Sequence, residues 1–260
     1  MTGLRWRAAI VSVLLGIAAP AAPQQGPQQP NKTVEPAGRE SLDYAIEWRL
    51  IPAGTAKLTW MPMAQGRTGS EVQLHLESAG LVSRLYRVND EYTAMLGQNF
   101  CGQNTFMASR EGNRNRETRV TFDQAGRKAH YSEKDLVKNS TVTSEVDIPP
   151  CTHDVLGGLM MLRTLHLEPG KTVQIPVSDG KKAAQVRVEC QRREDLSTAT
   201  GVKKTVRYEI FVFDNVLYKR SGHLHIWLTD DASQVPVQIQ AHLQFAIGTI
   251  TFKLAKPEKS

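Results

Sequence analysis

The chain has 260 residues, with 32 Lys and Arg against 26 Asp and Glu, which gives a formal net charge of +6. Hydrophobic residues make up 40% and charged residues 22%, a globular composition that excludes a fibrous or wholly disordered chain. The mean hydropathy of −0.35 excludes a polytopic membrane protein. The length suits one domain, because all-β sandwiches and barrels reach roughly 200–250 residues as single units.

The N-terminus has the pattern of a cleavable signal peptide over residues 1–22. Arg5 and Arg7 precede an apolar run at 8–19, and alanines in A-x-A spacing follow at 19–21. The apolar run is shorter than the roughly 20 residues that cross a bilayer. We therefore predict an exported protein, periplasmic or extracellular, that is not an integral membrane protein once the signal is removed.

The rest of the chain divides into three regions that differ in amino-acid composition. Residues 23–40 are rich in proline and glutamine, a linker composition that buries little apolar surface, so we expect a single β-rich domain over 41–255 and a charged tail at 256–260. The first cysteine is Cys101, so the sequence does not predict a lipoprotein. Removal of the two signal arginines lowers the net charge from +6 to +4, and the mixed charges argue against a nucleic-acid partner.

Apolar and polar residues alternate with a period of two along most of the domain, which predicts antiparallel strands. The first predicted hairpin covers 42–60 around a loop at 52–54, in a register that sets Trp48 opposite Leu58. One segment instead has helical spacing, and we predict a helix over about 154–166 with Asp154 as its N-cap. The predicted fold is mainly β: a strongly curved antiparallel sheet, or an open or partly closed β-barrel, with this one packed α-helix.

Three stretches of the chain are similar to a known family. They are LDYAIEWRLIPAGTAKL near the start of the domain, IPPCTHDVLGGLMMLRTLHLEPGKTVQIPVSDGKK in its centre and IWLTDDASQVPVQI near its end. The chain resembles the bacterial domain of unknown function 3108 family over nearly the whole domain. The resemblance implies an exported, β-rich envelope protein, and it supplies no activity or catalytic residues.

The three cysteines divide into two kinds. Cys190 alternates with apolar residues of a predicted strand, so its thiol should point into the core. Cys101 and Cys151 lie at element boundaries, where two segments can approach closely enough for a disulfide. We predict a Cys101–Cys151 bond that stabilises the fold by about 3–4 kcal/mol, with three free thiols as the alternative.

The catalytic motifs considered are incomplete or absent in the sequence. The Gly170-Lys171-Thr172 sequence lacks the earlier glycine of a phosphate-binding loop, and no G-x-S-x-G sequence is present. His153 and Asp154 adjoin Cys151 at the start of the predicted helix, but capping and disulfide roles are favoured there. We predict no cofactor, and we leave a hydrolase open as an alternative.

The second predicted hairpin covers 224–245 around a loop at 230–233. His223 and His225 share its polar face, and His242 would be a diagonal neighbour of His223. Three imidazoles on one face make zinc binding a hypothesis, although a polar sheet face is favoured. A second polar feature is the basic turn over 110–119, which predicts a solvated hairpin tip, with contact to lipid headgroups or anionic glycans as the alternative.

Aromatic residues provide the main functional hypothesis. Tyr44, Trp48 and Trp60 share the apolar face of the first hairpin, where they are either core residues or, if the sheet curls, the lining of a cavity for an apolar ligand. We predict a non-enzymatic envelope protein that binds or carries a lipid or other apolar or amphiphilic molecule. The alternative is a structural module that binds an envelope protein partner through a sheet edge.

Overall fold

The computed structural model of the protein describes residues 38–63, 68–244 and 248–255. The predicted signal peptide at 1–22, the predicted linker up to residue 37 and the predicted tail at 256–260 lie outside the described residues. The described part consists of strands joined by short connections and two short α-helices. The strands are β1 Glu40–Trp48, β2 Ile51–Pro62, β3 Ser70–Ser78, β4 Val88–Leu96, β5 Gly102–Glu111, β6 Arg114–Asp123, β7 Lys128–Asp135, β8 Ser140–Asp147, β9 Thr172–Ser178, β10 Ala183–Thr198, β11 Gly201–Ile210, β12 Gly222–Thr229, β13 Pro236–Leu243 and β14 Gly248–Leu254. The helices are α1 Gly80–Leu85 and α2 Val155–Leu162.

All fourteen strands of the described residues form one antiparallel sheet, in the order β8-β7-β6-β5-β4-β3-β2-β1-β14-β13-β12-β11-β10-β9. The first and last strands of the domain pair in the middle, and β8 and β9 are the two edges. The sheet is therefore not closed by hydrogen bonds. The prediction of a mainly β fold, built on a curved antiparallel sheet or open barrel, is confirmed.

The predicted helix is present as α2, but it ends at Leu162 rather than near residue 166. Thr164 and Leu165 donate their backbone N–H groups to carbonyls three residues earlier, so the last turn tightens and stops. The second helix, α1, was not predicted. It has six residues, of which Leu81 and Leu85 are exposed, so it lacks the buried apolar stripe that identifies a helix in sequence.

The segment between β8 and α2 crosses the gap between the two sheet edges. The His153 N–H donates to Pro176 O and the Ser178 N–H donates to His153 O, both at 2.9 Å, which adds a short parallel bridge to the edge of β9. On the other side, the Gly102 N–H donates to Thr152 O at 2.9 Å. This segment therefore links the β9 edge to the start of β5, and the two sheet edges do not pair with each other directly.

The Cys101–Cys151 disulfide is present, with the two Cα atoms 4.7 Å apart. It fastens the bridging segment to the residue before β5. Cys190 is a free, fully buried cysteine, as predicted.

The register of both predicted hairpins is wrong, although the faces are right. The first turn is a two-residue turn at Arg49 and Leu50, which have φ values of 50° and 68°, so Leu58 pairs with Leu42 rather than with Trp48. Two consecutive residues with left-handed backbone conformations form a type I′ turn, and such turns favour the sequence Asn-Gly. Here the two positions hold Arg49 and Leu50, so no glycine marks the turn in the sequence. In the second hairpin, an irregularity at Trp227 and Leu228 shifts the pairing.

Candidate ligand-binding cavity

Helix α2 begins at a buried carboxylate. Asp154 is 1% exposed, and its oxygens accept the Leu156 and Gly157 N–H groups, both at 3.0 Å, which is the predicted N-cap. The Tyr92 hydroxyl donates to the same carboxylate at 2.9 Å. Burial raises the pKa of Asp154, and burial together with this carboxylate raises the pKa of Tyr92.

The other end of α2 is held by an arginine clamp. Arg163 donates from Nη1 and Nη2 to the two Glu40 carboxylate oxygens, at 2.5 and 3.0 Å, in a bidentate ion pair with the start of β1. Its Nε donates to Gln234 O and its Nη2 to Ser233 O, both at 3.1 Å, in the β12–β13 connection. The helix is therefore fixed at both ends across the concave face of the sheet.

Between α2 and the sheet lies an apolar cavity of about 280 Å³. Its walls come from the concave faces of β1 to β3 and β9 to β14, from one face of α2 and from the β11–β12 connection. The lining residues are Tyr44, Leu58, Leu74, Val155, Leu156, Gly158, Leu159, Leu162, Ile175, Val177, Val186, Val188, Ile210, Val212, Leu217, Tyr218, Leu224, Ile226, Ile239 and Phe252.

The two polar side chains of the lining are tyrosines with different environments. The Tyr44 hydroxyl donates to Pro236 O at 2.8 Å, so its hydrogen is already used inside the protein, and burial raises its pKa. Tyr218 is 38% exposed and Val155 is 45% exposed, so these two lining residues mark where the cavity reaches solvent. Partial burial, with Asp179 and Asp154 nearby, raises the pKa of Tyr218 to about 12.

The sequence-predicted lining residues have different positions. Tyr44 lines the cavity, whereas Trp60 is buried in the adjacent core cluster and Trp48 packs against that cluster without lining the cavity. Tyr218 and its neighbours in the 211–221 connection were not predicted as lining residues, because this connection has no strand or helix periodicity. The run Phe211-Val212-Phe213 was the one available signal, because three consecutive apolar residues in a connection are unusual.

The histidines of the zinc hypothesis are held by other groups. His223 lies directly opposite His242, not diagonal to it as predicted, because of the shifted register. His223 Nδ1 is 2.8 Å from Glu209 Oε1, and His242 Nδ1 is 2.8 Å from Thr249 Oγ1. Nε2 of His225 is 3.8 Å from Glu209 Oε2. Within 38–63, 68–244 and 248–255, no cluster of three or more His, Cys, Asp or Glu side chains could hold a metal ion.

A Cys–His hydrolytic site would need Cys151 and His153, and the bridging segment uses both residues structurally. The Cys151 sulfur is in the disulfide, so it is not a free thiol beside His153. His153 is 3% exposed, and its Nδ1 donates to Phe100 O at 2.8 Å. Burial lowers the pKa of His153 below its ordinary value of 6.5.

This lowered pKa predicts acid sensitivity. Because the unfolded chain takes up a proton at a higher pH than the folded protein, the free energy of unfolding should fall as pH drops below 6.5, by at most about 1.4 kcal/mol per pH unit from this group. His153→Asn keeps an N–H donor for Phe100 O but does not titrate. Chemical unfolding between pH 7 and pH 5 should give a shallower pH slope for the variant, and equal slopes would contradict this role.

Two adjacent glycines of α2 should respond oppositely to alanine. A Cβ on Gly157 would lie 2.7 Å from Phe100 O, whereas a Cβ on Gly158 would lie 3.6 Å from Val177 Cγ2, an ordinary contact. We expect Gly157→Ala to destabilise by about 1–3 kcal/mol, and Gly158→Ala to stabilise by about 0.5–1 kcal/mol through helix propensity. Urea unfolding of both variants measures the change in the free energy of unfolding. Changes of the same sign in the two variants would contradict this packing of α2.

A single antiparallel sheet, open between its edges and curved around an apolar cavity, defines a β-barrel-like protein. The chain belongs to the family described as proteins of unknown function, DUF3108, which matches residues 43–255, so the resemblance noted in the sequence is confirmed. Among the described residues, no helix has the length and apolar character needed to cross a membrane.

One solved structure supports the fold, and two others are similar at a lower level. A β-barrel-like protein of domain of unknown function DUF1849 from Brucella abortus has a TM-score of 0.52 at 9% identity, covering 83% of this chain and 95% of that one. A DUF1089 family protein from Pseudomonas aeruginosa gives a TM-score of 0.30 at 10% identity, covering 78% of this chain and 89% of that one. A protein with a YmcC-like fold from Bacteroides fragilis gives a TM-score of 0.32 at 12% identity, covering 85% of this chain and 96% of that one. No curated protein matches the chain.

Proposed function

We propose that this protein is an exported, non-enzymatic binding protein that holds one apolar or amphiphilic envelope molecule in the cavity. The observation that carries the proposal is the composition of the cavity wall, in which tyrosine hydroxyls are the sole polar side-chain groups among the twenty lining residues described. An apolar wall favours a hydrocarbon ligand, because burying apolar surface is the main source of its binding energy.

The cavity also limits the size and orientation of the ligand. Its volume of about 280 Å³ lies near the lower end of the range for ligand sites, which suits one acyl chain or a small apolar molecule. A polar headgroup would remain at the mouth beside Tyr218, where it stays hydrated. An amphiphile with a single chain therefore fits better than a bulky polycyclic molecule.

Chain-length dependence tests this proposal. Unlabelled fatty acids of increasing length would displace a fluorescent fatty acid from the delipidated protein. Each buried methylene contributes roughly 0.8 kcal/mol, so affinity should rise about fourfold per added carbon until the cavity is full, and then level off. One saturable site with such a plateau supports the proposal. Non-saturable uptake, or affinity independent of chain length, contradicts it.

A second candidate function is assembly with another envelope protein, and β8 favours it. Seven of the eight residues of β8 are exposed, and β8 is an edge of the sheet, whereas the bridging segment covers the other edge at β9. An added strand could pair with such an edge. Thr143→Pro should abolish co-purification of a stoichiometric partner without changing fatty-acid binding, and a partner retained at full yield would exclude this edge.

A further inference from the structure

Antiparallel pairing places seven connections at one end of the sheet: β1–β2, β3–β4, β5–β6, β7–β8, β9–β10, β11–β12 and β13–β14. We call the described residues of these connections the rim. They are 49–50, 79–87, 112–113, 136–139, 179–182, 211–221 and 244.

Hydrogen bonds join several parts of the rim to their neighbours. Gly112 N donates to Arg87 O at 2.7 Å, and Leu136 N donates to Asn115 O at 2.8 Å. Further along, Gln244 N donates to Ser221 O at 3.1 Å. The Lys182 ammonium contacts Asn215 O of the β11–β12 connection. Lys181 Nζ is 3.5 Å from Glu133 Oε2 in β7, so the β9–β10 connection approaches the other edge of the sheet at this end.

Exposed apolar side chains concentrate on the rim. Eleven large hydrophobic residues are exposed in the described part of the chain, and eight of them lie in the rim or next to it. These eight are Leu50, Ile51, Leu81, Leu85, Tyr86, Leu136, Val137 and Tyr218. Leu50 and Leu85 are the most exposed, at 86% and 70%. Leu50 lies in the β1–β2 turn and Leu85 at the end of α1. Exposed apolar side chains of this kind can enter the headgroup boundary of a bilayer.

Basic residues also concentrate there. The rim has eight basic and two acidic residues: Arg49, Arg84, Arg87, Lys138, Lys181, Lys182, Lys219 and Arg220 against Asp179 and Asp214. The connections at the opposite end, over their described residues, have three basic and four acidic residues: Arg127, Arg163 and Lys171 against Asp154, Glu168, Asp230 and Asp231. The excess positive charge therefore lies on the same end as the exposed apolar residues.

We propose that the rim docks on the surface of an anionic lipid bilayer. Lysine and arginine are attracted to the negative surface potential of such a bilayer, and the apolar tips enter the headgroup boundary. Docking does not require a cavity ligand. However, Tyr218 belongs both to the rim and to the cavity mouth, so a docked protein presents its mouth to the lipid; this last step rests on the proposed function.

Flotation with phospholipid vesicles tests the docking. The purified protein should bind phosphatidylglycerol-containing vesicles, bind pure phosphatidylcholine vesicles at least about tenfold more weakly, and be released by salt. Leu85→Ser combined with Arg84→Glu should lower binding to anionic vesicles by about tenfold or more. The matched control is Val202→Ser combined with Lys203→Glu, exposed residues at the opposite end, and it should change binding less than about twofold.

Equal loss of binding in the rim and control variants, equal binding to both vesicles, or binding to neither would overturn the proposal. A stoichiometric protein partner captured by the rim in place of lipid would overturn it as well. Both variants change exposed side chains, so fatty-acid displacement in solution should be the same as for the unchanged protein. Failure of docking and failure of the cavity proposal are thus separate outcomes.

Discussion

Gly158→Leu is expected to weaken fatty-acid binding by about tenfold or more while making the protein more stable. Gly158 lies on the cavity wall, and a side chain added there occupies space that the ligand needs. Leucine also improves helix propensity by about 1 kcal/mol and fills part of an apolar void, which adds further stability. Fatty-acid displacement and thermal unfolding, measured on the same sample, give the two readouts.

Gly158→Ala is the matched control, because it gives a similar gain in helix propensity but leaves most of the cavity empty. It should be stabilised and still bind fatty acid with close to the original affinity. Weaker binding together with higher stability in the leucine variant excludes unfolding as the cause. If Gly158→Leu binds fatty acid as well as the unchanged protein, the ligand does not occupy this cavity.

Loss of the disulfide is expected to have the largest effect on stability. The Cys101–Cys151 bond closes a loop with a sequence separation of 50 residues and fastens the bridging segment. Replacing both cysteines by serine should lower the free energy of unfolding by about 3–4 kcal/mol. Urea unfolding with and without a reductant measures the change.

The reductant itself provides the control for this prediction. It should destabilise the unchanged protein by about the same amount, and it should have no effect on the variant with both serines, whose remaining Cys190 is buried and unbonded. A protein whose stability is the same with and without reductant would show that the bond contributes nothing in solution.

Alternation along the strands correctly predicted which residues face the core, because side-chain direction depends only on local geometry. Tyr44 and Ile226 are examples, and both line the cavity. Register was not predictable in the same way. The left-handed turn at Arg49 and Leu50 has no glycine to mark it, and no residue type near Trp227 indicates the irregularity in pairing there.

The cavity itself depends on contacts between distant parts of the chain. It requires β1 to pair with β14, as in Trp48 opposite Ile250, and no local pattern specifies that pairing. It also requires the irregular 211–221 connection to contribute Tyr218 at the mouth. The disulfide was accessible to sequence reasoning because three cysteines allow few pairings, and strand alternation had already assigned Cys190 to the core.

The position of a bound ligand tests the central claim most directly. Stearate carrying a nitroxide near its methyl end would be added at one equivalent to protein labelled at Ile, Leu and Val methyl groups, and the methyl spectrum recorded. The methyl signals of Leu159, Leu224 and Ile226 should broaden, while those of Val142 and Val202, which are exposed elsewhere, should remain sharp. Sharp signals from all three lining residues, or broadening confined to Leu81 and Leu85 on the rim, would contradict a cavity-bound ligand.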